Sequence, residues 1–277
     1  MAAYNDGASR PRPYKSFQNF TELLLFVLQL WNNWEYSVVC HETLMGRIRL
    51  KSFGYARLVT VVPILCLVVL NPACGSGNSN AQLRVMNASP GESSVNVTLN
   101  STSISTGLGY GAATGYTGVG SGSPTLEFVP NGGTTTLISE AVNLSSATSY
   151  TVLADNYSTD IGLTVFTDNN AAPSSGNLNL RIINASPGLG TVDVYVVSPG
   201  TNLNTVTPSI TGLAFPSASS YLSLSTGNYE VYFTLTGQKL AYIDSGPQSW
   251  SAGQVRTVVG LNGESSGYTS TVLDDLN

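Results

Sequence analysis

Charged residues, histidine and cysteine are scarce in this sequence. Only 10% of its 277 residues are charged, against about 25% in typical soluble proteins. There is one histidine, His41, and there are three cysteines. Glycine and proline are plentiful, with 28 and 13 residues, and both are common in the turns that join short strands. The composition is typical of an exported β-rich protein and not of a cytoplasmic enzyme.

Positive charge is scarce beyond Cys74. That part of the chain has twelve carboxylates and four basic residues, a net charge near −8. Nucleic-acid binding needs clustered Lys and Arg to neutralise phosphates. We therefore expect no nucleic-acid partner and interpret the acidity as that of a solvated surface.

The sequence beyond Cys74 also lacks histidine and further cysteine. This excludes from that part a Ser-His-Asp triad, a cysteine nucleophile and a zinc site built from Cys and His. We therefore predict that the protein is not an enzyme and uses no cofactor or metal. A glycosidase that works with two carboxylates is the remaining catalytic alternative.

Residues 45–74 have the three parts of a secretory signal peptide. Four basic residues precede the mostly apolar run 58–70, and small residues follow at Ala73 and Cys74. Thirteen helical residues span about 20 Å, which is short of a hydrocarbon core of about 30 Å. We therefore predict a signal peptide over 45–74, and interpret 1–44 as a mis-called or disordered extension, the alternative being a genuine cytoplasmic extension.

The segment Ala73-Cys74-Gly75-Ser76-Gly77 resembles the end of a bacterial lipoprotein signal. The resemblance implies that Cys74 is the lipid attachment site and that 75–80 is a tether. It also implies an outer-membrane lipoprotein of the cell envelope, facing the periplasm or the exterior. The alternative is an unmodified cysteine at the end of an ordinary signal.

The chain contains an internal repeat. "LRVMNASPGESSVNVTL" (83–99) and "LRIINASPGLGTVDVYV" (180–196) agree at nine of seventeen positions. The similarity resumes downstream, where Tyr116 aligns with Tyr221. A unit of about ninety residues that occurs twice is typical of a duplicated domain.

Apolar residues within each repeat alternate with polar ones. "NYEVYFTLTG" (228–237) places Tyr229, Val231 and Phe233 on one face, which indicates half-buried antiparallel strands. The predicted fold class is all-β, with two tandem antiparallel β-sandwich (Ig-like) domains after the signal segment. The predicted boundaries are repeat 1 at 81–168, a linker at 169–176, repeat 2 at 177–265 and a C-terminal tail at 266–277.

The Asn-Ala-Ser-Pro-Gly phrase ends the first strand of each repeat, where we predict a turn. Four features of the sequence resemble the bacterial envelope family catalogued as domain of unknown function 4397. They are this phrase, the "VDVY" strand (192–195), the segment "YLSLSTGNYEVYF" (221–233) and the strand "VRTVVGLNG" (255–263). The second repeat carries all four features, and the first keeps the opening. The resemblance implies an exported all-β module and transfers no catalytic residue.

A few side chains are candidates for binding. Tyr110 and Tyr116 lie in a glycine-rich stretch (107–123) that we expect to be a flexible loop, and with Trp250 they are weak candidates for stacking on a sugar. Asp155, Asn156, Asp160 and Asp168 could ligate calcium, although a solvated loop is the favoured interpretation. We expect the recurring Arg84 and Arg181 to pair with a carboxylate such as Asp193.

These observations predict a non-catalytic, lipid-anchored envelope protein that serves adhesion, scaffolding or interaction. Its expected partners are the membrane, through the anchor, and a polysaccharide or another envelope protein. A polysaccharide-binding surface protein is the alternative function. Such a protein should expose two or three aromatic rings in one plane.

Overall fold

The structure, a computed structural model, describes residues 37–41, 49–53, 80–264 and 266–276. The chain divides into two compact units, residues 1–74 and 75–277. In the first unit, β1 (Ser37–His41) pairs antiparallel with β2 (Arg49–Phe53). The rest of the predicted extension and signal, Cys74 and nearly all of the tether lie outside the described residues. Within the described part of the chain, no helix is long and apolar enough to cross a membrane.

The first half of the second unit, residues 80–168, consists of eight strands. Their bounds are β3 (Asn80–Asn87), β4 (Ser94–Leu99), β5 (Thr102–Gly109), β6 (Thr117–Gly120), β7 (Thr125–Pro130), β8 (Ile138–Ala141), β9 (Ser149–Asp155) and β10 (Gly162–Asp168). They form one sheet in the order β10-β9-β3-β6 and a second sheet in the order β5-β4-β7-β8.

The second half repeats this strand order with two additional short strands. Its strands are β11 (Asn177–Ala185), β12 (Val192–Val197), β13 (Ile210–Leu213), β14 (Ser217–Ala218), β15 (Leu222–Ser225), β16 (Gly227–Leu235), β17 (Ala241–Asp244), β18 (Gln248–Trp250), β19 (Val255–Asn262) and β20 (Tyr268–Leu276). One sheet runs β14-β11-β19-β20, with β15 also on β11. The other runs β13-β12-β16-β17, with β18 also on β16.

Each half has its own hydrophobic core between its two sheets. In the first half the core includes Leu83, Val85 and Phe128. In the second half Val231 and Phe233 are buried in the core and Tyr229 packs against it, as the alternation in β16 predicts. The all-β sandwich fold expected from the sequence is therefore confirmed.

A third apolar cluster joins the two halves. Met86 and Leu153 point away from the core of the first half and pack with Ile183 and Val259 of the second. The outer face of the β3 sheet therefore lies against the outer face of the β11 sheet. We call this contact the junction. The central strands of both sheets are consequently buried on both faces, where the sequence pattern had predicted burial on one.

Three further details differ from the expectations. β3 pairs in parallel with β9, and β11 with β19, because the chain visits the other sheet before it returns. The predicted tail contains β20, which pairs antiparallel along β19. The glycine-rich stretch is not a simple loop, since its residues Thr117–Gly120 form β6, whose backbone pairs with β3.

Candidate functional site

The aromatic residues proposed for sugar stacking have other positions in the structure. Trp250 is buried in the second core, where its ring stacks on Tyr229 with centroids 5.8 Å apart. The hydroxyl of Tyr110 donates across the junction to the backbone carbonyl of Asn262 at 2.7 Å. The hydroxyl of Tyr116 donates to Asp168 at 2.7 Å. These three side chains do not form an exposed plane.

Arg84 makes a buried ion pair across the junction. Its Nε and Nη2 donate to Thr151 Oγ1 of the same half, at 3.1 and 2.8 Å. Its Nη2 also lies 2.6 Å from Asp275 Oδ1 of the other half, and its Nη1 donates to the carbonyl of Asp274 at 3.2 Å. The side chains of Arg84 and Asp275 are 3% and 0% exposed. The guanidinium fork therefore ties the two halves together at a site that is shielded from solvent.

Arg181 makes the same contacts with the roles of the halves exchanged. Its Nε donates to Thr257 Oγ1 at 3.1 Å, and its Nη2 lies 2.7 Å from Asp168 Oδ1. Its Nη1 donates to the carbonyl of Thr167 at 3.4 Å. Each half thus supplies an arginine to the other and receives its aspartate, as expected around a local two-fold axis.

The hydroxyl groups complete this cluster. Thr151 donates to Asp168 and Thr257 to Asp275, at 2.7 and 2.6 Å. The guanidinium carbon of Arg84 lies 4.6 Å from the ring centroid of Tyr116, and that of Arg181 lies 5.1 Å from that of Tyr221. We call these eight side chains the junction cluster: Arg84, Tyr116, Thr151, Asp168, Arg181, Tyr221, Thr257 and Asp275.

The pKa shifts in the junction cluster follow from burial and its charges. Burial would lower the pKa of Arg181, but the carboxylate of Asp168, with Tyr221 and Asp275, raises it overall. Burial raises the pKa of Tyr221 to about 12, since Arg181 only partly opposes this effect. Burial also raises the pKa of Tyr116. Arg181 therefore stays charged, and both tyrosines remain hydrogen-bond donors, at neutral pH.

Sequence reasoning missed the partners of the arginines. Asp193, the carboxylate proposed for them, instead accepts hydrogen bonds from the backbone N–H groups of Gly212 and Gly237, both at 2.8 Å. The actual partners lie at the end of the last strand of each half: Asp168 is the last residue of β10, and Asp275 is the last but one of β20. Their matching positions in the two repeats are the signal that could have identified them.

The two Asn-Ala-Ser-Pro-Gly phrases form the same kind of turn. The side-chain amide of Asn87 donates to the carbonyl of Glu92, and that of Asn184 donates to the carbonyl of Gly190, at 2.8 and 2.6 Å. Each Oδ1 accepts the N–H group two residues along. Both asparagines are fully buried. They therefore satisfy buried backbone groups and hold the turn.

Residues of both turns line one groove. Its volume is about 430 Å³, and its lining includes Pro90 and Gly91 of the first turn and Gly188 of the second. Tyr157, Asn262 and Glu264 also line it. We call this feature the turn groove. It contains aromatic, amide and carboxylate groups within one concave surface.

Asn262 organises the turn groove. Its Oδ1 accepts from Ser186 Oγ and from the N–H of Gly188, at 2.6 and 3.2 Å. Its Nδ2 donates to the hydroxyl of Tyr157 at 3.0 Å. A Cβ on Gly188 would lie only 3.0 Å from Nδ2 of Asn262. Glycine at 188 therefore leaves the space that this amide occupies.

The residues proposed as calcium ligands do not form one cluster. Asp168 pairs with Arg181, and Asp160 accepts from Asn156 at 3.1 Å. Burial raises the pKa of Asp155 to about 6, and a hydrogen bond with Thr164 opposes this only partly. Over the residues that the structure describes, no three His, Cys, Asp or Glu side chains are grouped to hold a metal ion.

Comparisons with solved structures find matches at low identity. A family 26 carbohydrate-binding module of Eubacterium rectale Amy13K, in complex with maltoheptaose, is 11% identical, with a TM-score of 0.22. The alignment covers 72% of this chain and 98% of that one. A streptococcal virulence factor described by its alpha-glucan binding is 7% identical, with a TM-score of 0.22 and coverage of 65% and 92%. At these scores neither similarity indicates a ligand for this chain.

The family comparison concerns the first half and the beginning of the second. No curated protein matches the chain. Residues 81–195 match the model of the family described as "Domain of unknown function (DUF4397)", and this match supports the family that the repeated motifs predict.

Proposed function

We propose that this protein is a non-catalytic interaction module of the bacterial cell envelope, anchored through a lipid on Cys74. In this proposal its two halves are two copies of one family unit, docked into a single rigid body. It serves adhesion or scaffolding by presenting the surfaces of both halves at a fixed spacing. The observation that carries the proposal is the junction cluster, in which each arginine pairs with an aspartate of the other half.

The rigidity of the pair follows from the chemistry of the junction. Separating the halves would leave Arg84 and Arg181 without their carboxylates and expose the apolar cluster around Met86 and Ile183. Separation would return both charges of each pair to water, so the main driving force for docking is burial of the apolar cluster. The two buried ion pairs fix the geometry of the docked arrangement, because a misaligned junction would leave a charge buried without its partner.

The absence of catalysis is supported by where the strongly interacting ionisable groups lie. Catalytic groups must be reachable by a substrate. In this protein the arginines and aspartates of the junction cluster are less than 8% exposed and contact one another. A substrate has no access to them, so their charges act in structure and not in chemistry.

The envelope location is supported by the sequence of the signal segment. The basic residues, the apolar run 58–70 and Ala73-Cys74 stand in the order that export requires. The low content of charge and the acidity beyond Cys74 are consistent with an exported surface. Lipidation at Cys74 would add membrane affinity of about 0.8 kcal/mol for each buried methylene group.

Fractionation and mass spectrometry test this proposal. The full-length chain, expressed in a bacterium, should be found in the envelope fraction with an acylated N-terminus at Cys74. Cys74→Ser should carry no acyl chains and should no longer be processed as a lipoprotein. Cys66→Ser, which changes the cysteine inside the apolar run, should be processed as the wild type is. An uncut and unacylated wild-type chain among the cytosolic proteins would contradict the proposal.

A further inference from the structure

The turn groove has an aromatic ring that is open to solvent and held in place. Tyr157 is 44% exposed, and within the described part of the chain it is the aromatic residue with the largest exposure. Its hydroxyl accepts a hydrogen bond from Asn262 of the other half. This hydrogen bond orders the ring before a ligand binds, which reduces the entropic cost of binding.

The polar groups beside this ring retain hydrogen-bonding capacity. The amide nitrogen of Asn262 carries two hydrogens, and one of them has no partner among the described residues. The hydroxyl of Tyr157 accepts from Asn262, so its own hydrogen is available to a ligand. The carboxylate of Glu264 is exposed at the edge of the groove. Donors and an acceptor thus surround an apolar ring face.

The charge and shape of the groove restrict the class of ligand. Glu264 and the acidity of the chain disfavour anions such as phosphates and nucleic acids. The glycines and polar groups of the walls disfavour a purely apolar ligand. A neutral sugar has an apolar C–H face for the ring and hydroxyl groups for the donors and acceptor. The volume of about 430 Å³ lies within the range of roughly 300–1,000 Å³ of small-molecule sites.

We propose that the turn groove binds a neutral oligosaccharide, with a sugar ring stacked on Tyr157 and its hydroxyl groups hydrogen-bonded to Asn262 and Glu264. This inference rests on the proposed function, because it names a ligand class for the interaction module. The groove takes Pro90 and Tyr157 from one half and Gly188 and Asn262 from the other. The site is therefore complete only when the two halves are docked.

Calorimetric titration of the full-length chain in mild detergent tests the inference. The probes are the hexasaccharides of β-1,4-glucose, α-1,4-glucose, β-1,4-mannose and N-acetylglucosamine, with the cationic chitosan hexamer as a comparator. At least one neutral probe should bind. Its affinity should change less than about twofold between about 0.05 M and 0.5 M NaCl, because salt screens charge–charge attraction and leaves stacking and neutral hydrogen bonds.

Three variants distinguish this site from any other. Tyr157→Ala should weaken binding at least about tenfold, because the stacking ring is removed. Gly188→Ala should also weaken it, since the added methyl group displaces Asn262. Leu240→Ala makes a similar truncation at an exposed site outside the groove and should bind as the wild type does. Circular dichroism should show that all three variants are folded.

Three results would overturn the inference. These are no binding of any neutral probe by folded protein, undiminished binding by both Tyr157→Ala and Gly188→Ala, or binding of chitosan alone that is lost at high salt. These failures are distinct from failure of the proposed function. An acylated envelope protein that binds no probe refutes only the saccharide site, whereas a cytosolic protein that binds one refutes only the envelope role.

Discussion

Replacing Asp275 with asparagine tests whether the junction cluster holds the two halves together. The asparagine side chain has nearly the same shape, so the change removes the negative charge and little else. Asp275 Oδ1 lies 2.6 Å from Arg84, and its Oδ2 lies 3.9 Å from Arg181. At an effective dielectric constant of about 20, the attraction at 2.6 Å is about 6 kcal/mol before the cost of desolvation is subtracted.

The net effect is smaller than this attraction but still large. In the variant the Arg84 side chain would stay buried, 3% exposed, without its carboxylate partner. Removing one partner of a buried pair costs about 3–5 kcal/mol. We therefore expect Asp275→Asn to lower the free energy of unfolding by this amount. The midpoint of urea unfolding should fall by about 1 to 2 M.

The neighbouring residue provides a matched control. Asp274 forms an ion pair with Arg256 at 3.0 Å, but its side chain is 76% exposed. Arg256 is only 8% exposed, but water at the exposed carboxylate of Asp274 screens this pair. Asp274→Asn should therefore shift the midpoint less than Asp275→Asn. Urea unfolding followed by circular dichroism measures both variants. Equal shifts in the two variants would refute the reasoning that burial makes the junction pair important.

A double variant separates the lost attraction from the charge that is left behind. In Arg84→Met with Asp275→Leu, neither charge remains in the pair. Replacing a whole buried pair with apolar residues is often neutral or stabilising. We therefore expect the double variant to be more stable than Asp275→Asn alone. A double variant that is less stable would contradict the reasoning that the unpaired arginine dominates the cost.

Two further changes test other parts of the structure. Gly260→Ala should destabilise the protein by about 1–3 kcal/mol, because the new Cβ would lie 2.7 Å from the ring of Phe233. Gly120→Ala is the control in the same urea assay, since no atom lies within 4 Å of the position of its Cβ. Since burial raises the pKa of Asp155 to about 6 from 3.8, the folded state binds more protons between these values, so stability should fall as pH rises through this window. Asp155→Asn should remove this pH dependence and raise the free energy of unfolding at pH 7 by up to about 3 kcal/mol. Asp160→Asn, on an exposed loop, should keep the pH dependence of the wild type. A wild type whose stability does not change over this window would contradict the raised pKa of Asp155.

The strands of the two cores could be predicted from the sequence because each core depends on a local pattern. Alternation in β16 indicated which side chains face inward, and Val231 and Phe233 are indeed buried there. The turn at each Asn-Ala-Ser-Pro-Gly phrase could be predicted for the same reason. Proline and glycine restrict the backbone locally, whatever lies beyond them.

The sites could not be predicted in the same way. Arg84 and Asp275 are 191 residues apart, and no spacing rule connects a first strand with the last strand of another half. Tyr116 and Trp250 were considered as binding residues because of their type. Trp250 is instead buried in the second core, and the hydroxyl of Tyr116 donates to Asp168. Tyr157 was not singled out, since its exposure depends on how the chain folds around it.

The sequence by itself determined the alternating strands of the cores, the turns and the internal sequence repeat, because alternation and turn chemistry act over a few residues at a time. The tertiary structure alone decided that the two halves dock face to face, that each arginine takes its aspartate from the other half, and that both turns line one groove. These features depend on long-range packing. Burying the outer faces of two sheets places residues from opposite ends of the chain in contact, and their charges must then be paired within the protein.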